Sequence, residues 1–80
     1  MQVTLTSTDR IVELEIDGRT VPARVWVGRT AAGIECHAYI TRIAVARSAD
    51  AAEFEAALRE THDTLPLWLA GKIPTRLVLA

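Results

Sequence analysis

Cys36 and His37 stand side by side, and a thiol beside an imidazole is raw material for nucleophilic catalysis. A working dyad needs the two groups within hydrogen-bond reach. Adjacent residues of an extended strand point to opposite faces, so these two cannot serve each other. Cys36 reads instead as a core position, since free cysteine behaves as a small hydrophobe. His62 and Asp63 are the next candidates for proton transfer, but they fall where a helix ends, and a histidine there interacts favourably with the helix dipole. Glu13 and Glu15 are spaced two apart on one strand face, with no proton donor or pocket implied. None of these residues carries a catalytic role, so the chain does not read as an enzyme.

Metal and phosphate chemistry find no better footing. Cys36, His37, His62 and Asp63 are the available ligands, and no C-x2-C, H-x3-H or HExxH spacing joins them. The segment GRTAAG at 28–33 lacks the Lys-Ser/Thr of a phosphate loop, and no helix follows it directly. It reads as a hairpin turn. No metal or cofactor is expected, and no small-molecule substrate is inferred.

The uncommon side chains gather in residues 21–45, VPARVWVGRTAAGIECHAYITRIAV. Two strands folded back on each other fit this stretch. Val21, Ala23, Val25 and Val27 share a face, as do Ile34, Cys36, Ala38 and Ile40. A turn centred on Thr30-Ala31 sets Val27 against Ile34 and Val25 against Cys36, all on one oily side. Arg24, Trp26, Glu35, His37 and Tyr39 then point the other way, with Trp26 opposite Glu35 and Arg24 opposite His37. Trp, Tyr and Arg dominate binding hot spots, so these five are the expected partner-binding residues. Beyond Ile40 the apolar phase slips to Ile43 and Val45, for which a bulge near Thr41-Arg42 accounts.

The remaining elements frame this hairpin. Residues 2–6 and 11–17 alternate as strands, with turn chemistry at 7–10 between them. A turn at Thr8-Asp9 sets Leu5 against Val12. Asp17-Gly18 signals a type I′ hairpin that sets Leu14 against Val21 and Val12 against Ala23. Residues 48–62 are helical, capped by Ser48 or Asp50, with Ala51, Phe54 and Leu58 at helical spacing and Glu55 four before Arg59. This helix is expected to cover the oily face. Residues 63–72 form a bend in which Pro66 opens a short turn and Gly71 ends it. Leu67 and Trp68 give the bend a second apolar patch, which either seals the core or offers a contact surface. Residues 73–79 read as a last strand, at an edge because of Pro74. The fold class is α+β: an antiparallel β-meander of three to four strands, one helix packed on one face, and a short C-terminal edge strand. All 80 residues form a single domain, divided as 1–47 meander, 48–62 helix, 63–72 bend and 73–79 strand.

Charge narrows the partner class. The net charge is −1, from nine basic and ten acidic residues, which disfavours a protein built to grip phosphate backbone. No signal peptide or apolar run long enough to span a membrane is visible. The lone cysteine fits a reducing cytosol.

The stretches VPARVWVG, ITRIAVARSAD, FEAALRET and IPTRLVL, in that order, resemble small open reading frames of tailed phages and prophages from GC-rich bacteria. The resemblance runs from about Ile11 to Leu79 and contains no catalytic motif. It implies a mobile-element origin, a bacterial cytosolic setting, and a stoichiometric binder such as an anti-CRISPR-like inhibitor of host defence. The expected function is therefore non-enzymatic binding of a protein partner, or of a second copy as a homodimer. The alternatives are a small nucleic-acid-associated protein, with Arg24, Arg42 and Arg47 lining a strip, and an enzyme using Cys36 or His37.

Overall fold

Two long strands and one tight turn build the centre of the molecule. In the computed structural model, which describes residues 1–46, 50–60 and 63–79, β1 (Val3–Ile16) and β2 (Arg19–Thr30) pair antiparallel. Asp17 and Gly18 join them with φ of 51° and 76°, the left-handed pair that a type I′ turn requires. Leu14 faces Val21 and Val12 faces Ala23, the expected register. Val12, Leu14, Ala23 and Val25 are buried on one side of the sheet, called here the core face.

Residues 7–10 do not reverse the chain. β1 runs through them as a bulge: Ser7 pairs with Trp26 and Ile11 with Arg24, so three residues of β1 oppose Val25 alone. The pairing of Leu5 with Val12 is thereby replaced by Leu5 with Gly28. The polar side chains that signalled a turn hold the bulge instead. Thr8 is fully buried and donates from Oγ1 to the Val25 carbonyl at 2.6 Å. Arg24 donates from Nη1 to the Thr8 carbonyl at 2.8 Å. Asp63 docks on the same bulge, donating its amide to the Ser7 carbonyl and accepting from the Asp9 amide.

β3 (Glu35–Ile40) completes the hairpin in a register different from the expected one. Val25 faces Tyr39, Val27 faces His37 and Trp26 faces Ala38. The cause is the loop. Thr30 donates its amide to the Ile34 carbonyl at 3.0 Å, so the turn holds three residues, 31–33, and Gly33 takes φ of 84°. A two-residue turn on Thr30-Ala31 needs positive φ at Thr30 in type II′ and at both positions in type I′, which side chains with a Cβ resist; the three-residue loop needs it only at Gly33. The odd shift turns β3 over. Glu35, His37 and Tyr39 lie on the core face, and Cys36, Ala38 and Ile40 lie on the opposite, outer face with Trp26. β3 ends at Ile40, so no strand bulge occurs at Thr41-Arg42, and Ile34 is exposed.

The core face is covered by residues 65–73 and not by the helix. Leu69 and Ile73 are buried with the strand residues, and Leu65, Trp68 and Leu77 pack around them. Pro66 opens one helical turn, accepting from the amides of Leu69 and Ala70, and Gly71 ends it at φ of 78°. Trp68 thus seals the core, while Leu67 is 94% exposed. β4 (Arg76–Leu79) then runs parallel to β1, giving a four-stranded sheet of order β3-β2-β1-β4. Arg76 bonds Glu13 at 2.7 Å, and that hydrogen bond, with the carboxylate charge, raises the guanidinium pKa further.

The helix α1 (Ala51–Glu60) begins at Asp50, whose Oδ1 accepts the Glu53 amide at 3.0 Å. Arg59 meets Glu55 at 3.7 Å, the expected i,i+4 pair. Ser48, Arg47 and His62, for which capping and binding roles were expected, lie outside the described residues. Leu58 is half-buried and faces the outer side of the sheet near Ile11, Trp26 and Ile40. The architecture is a small α+β fold on a mostly antiparallel sheet.

Candidate functional site

The outer face is where sheet, loop and helix leave a hollow. Trp26 sits in the middle of β2, between Ser7 on β1 and Ala38 on β3. Both flanking side chains are small, so the indole has no bulky neighbour across either strand. One step along the sheet, Arg24 stands between Ile11 and Ile40. Its bond to the Thr8 carbonyl fixes the guanidinium and uses one of its five donors. Ile43, from the segment after β3, and Leu58 of α1 close the far side.

Together these groups line a cavity of about 200 Å³, open to solvent. Its walls are mainly apolar, with Arg24 and Arg42 as the charged members. Among the described residues no carboxylate lines it. Part of this apolar lining stays exposed: Ile11 is 48% exposed and Ile43 38%.

The five residues expected to share one face are divided between two. Arg24 and Trp26 remain on the outer face. Glu35, His37 and Tyr39 belong to the core face, because the three-residue loop changes the parity of β3. There His37 and Tyr39 share a hydrogen bond of 3.2 Å, their rings meet edge-on at 5.4 Å, and the Trp68 ring lies 6.3 Å from His37. Tyr39 packs against the core. Glu35 pairs with Arg29 at 3.0 Å near the loop. Of the apolar patch in the bend, Leu67 faces solvent and Trp68 is committed to packing.

Ile11, Ile40, Ile43 and Leu58 complete the hollow without having been singled out for it. For Ile40, Gly33 was the signal. As the one loop residue suited to positive φ, it sets the loop length and so the face of Ile40.

Cys36 is half-buried on the outer face, opposite Gly28, and His37 points to the other side. Among the described residues no group of three His, Cys, Asp or Glu side chains is arranged to hold a metal ion, and no helix is long and apolar enough to cross a membrane. No protein-family model, curated protein or solved structure matches the chain.

Proposed function

We propose that the protein is a non-catalytic binding module that docks a protein partner on the outer face of its sheet. One observation carries this reading: a single-layer sheet keeps an apolar second face, with Ile11 and Ile43 exposed around a half-buried Trp26. An apolar patch of this kind, centred on an aromatic residue and an arginine, has the composition of an interaction hot spot. On this reading the protein is a stoichiometric binder of the type that the phage-protein resemblance implies, acting in the cytosol of a bacterial host. A role as an inhibitor of host defence follows if the partner belongs to such a system.

The nucleic-acid reading has less support. The net charge is −1, which disfavours a grip on phosphate backbone.

The test uses four immobilised proteins: the parent, Trp26→Ala, Ile43→Asp and His37→Ala. A protein retained from host lysate is identified by mass spectrometry, purified, and titrated against each by calorimetry. Supporting behaviour is equal affinity for the parent and His37→Ala, with a loss of at least about 10-fold, or about 1.4 kcal/mol, for Trp26→Ala and Ile43→Asp. Equal affinity for all four removes the outer face from the account. Sedimentation of the parent alone separates self-association from binding another protein.

A further inference from the structure

We infer that the outer-face cavity is an anchor pocket for one large apolar side chain presented beside a carboxylate, so that the partner contributes an acidic peptide segment. The inference rests on the proposed binding role of this face and names the chemistry of what it takes.

Size comes first. The cavity holds about 200 Å³. Sites for drug-sized molecules and cofactors run from about 300 to 1,000 Å³. This one is too small for such a ligand and suits a single large side chain. Its lining agrees, since Trp26, Ile40, Ile43 and Leu58 offer aromatic and branched aliphatic surface. Docking one phenylalanine-sized group against this lining removes part of its apolar area from water.

Charge comes second and sets the sign of the flanking group. Arg24 and Arg42 are the charged side chains of the lining, so the pocket is locally basic in a protein of net charge −1. Arg24 is held in place by its bond to the Thr8 carbonyl and keeps further N–H donors. Arg42 is exposed and has no ion pair among the described residues. Among the described residues, three carboxylates are paired with other arginines. Glu13 is bonded to Arg76, Glu35 to Arg29, and Glu55 to Arg59. Two arginines at the rim of an apolar hollow match an incoming carboxylate and repel a basic segment.

The probe is the peptide acetyl-Gly-Asp-Phe-Asp-Gly-amide, titrated into the full ¹⁵N-labelled chain and followed by amide and indole N–H shifts. Two control peptides replace Phe by Ala, or both Asp by Lys. The expected result is saturable movement of the Trp26 indole and of the Ile40, Ile43 and Leu58 amides, with each control at least about 10-fold weaker. Arg42→Glu, at an exposed position outside the sheet, leaves Arg24 opposed by one carboxylate and should erase the parent's preference between the Asp and Lys peptides; Leu58→Ser, which removes apolar lining without adding charge, should weaken binding of the Asp peptide.

Equal affinity for the Asp and Lys peptides overturns the inference, as do shifts centred on His37 and Trp68, or no saturable shift. 3-Phenylpropionate binding as tightly as the peptide also overturns it, by making the site one for a small aryl acid. Concentration-dependent shifts at the same residues without peptide assign the pocket to a second copy. If the peptide fails while Ile43→Asp still loses the captured partner, the binding module stands and the acidic anchor falls. If neither responds, both fall.

Discussion

Replacing Thr8 by Val tests the bulge that aligns β1 with the rest of the sheet. Val keeps the shape and one methyl of Thr but removes the hydroxyl. Thr8 is fully buried, its Oγ1 donates to the Val25 carbonyl at 2.6 Å, and it accepts the Arg10 amide at 3.3 Å. Losing the partner of a buried polar group costs about 1–3 kcal/mol. A domain of this length has a total stability of about 4–12 kcal/mol, so the loss is a sizeable fraction. At about 4–8 °C per kcal/mol for a small domain, the melting temperature should fall by about 5–20 °C. Thr8→Ser is the informative partner, because it keeps both hydrogen bonds and removes one methyl, at a cost of about 1 kcal/mol. Urea melts of the three proteins should rank the parent first, the Ser variant second and the Val variant last. An ordinary apolar core position would rank Val above Ser. A Val variant as stable as the parent would refute the account of the bulge.

Gly28→Ala should destabilise by about 1–3 kcal/mol, since a Cβ there runs into the Thr4 carbonyl; a urea midpoint at or above the parent's contradicts that close approach. Gly33→Ala should cost about 1–2 kcal/mol through its positive φ, whereas Gly33→Asn should cost less, and equal midpoints for the two variants would count against the three-residue loop. Cys36, half-buried on the outer face, should react with a thiol-disulfide reagent in the folded protein. Labelling that tracks global unfolding would place it in the core, where the periodicity first suggested it.

Local patterns were legible where one residue type decides the geometry. Asp17-Gly18 fixed the first hairpin and its register, and with it the core residues Val12, Leu14, Ala23 and Val25. Asp50 was readable as a cap, Glu55 and Arg59 as a pair, and Pro66 and Gly71 as the bounds of a turn. The misreadings share a cause: parity in a strand depends on a single residue. Thr8 and its neighbours have the composition of a turn, and only tertiary bonds to Val25, Arg24 and Asp63 turn them into a bulge. A three-residue loop ending at Gly33, in place of a two-residue turn at Thr30-Ala31, carried Glu35, His37 and Tyr39 to the core face and Cys36 away from it. Arg24 and Trp26 were identified correctly as outward-facing because they belong to the strand whose register Asp17-Gly18 sets. The cover of the core face was misassigned to the helix because residues 65–73 lack helical length, yet Leu69 and Ile73 bury themselves there.

The outer-face claim is tested most directly by the footprint of the purified partner on the ¹⁵N-labelled protein. Both indoles report in one spectrum without any substitution. The account predicts that the signals of Trp26, Ile40 and Ile43 move or broaden on complex formation while those of His37, Tyr39 and Trp68 stay in place. A footprint centred on His37 and Trp68, with Trp26 unchanged, would contradict it.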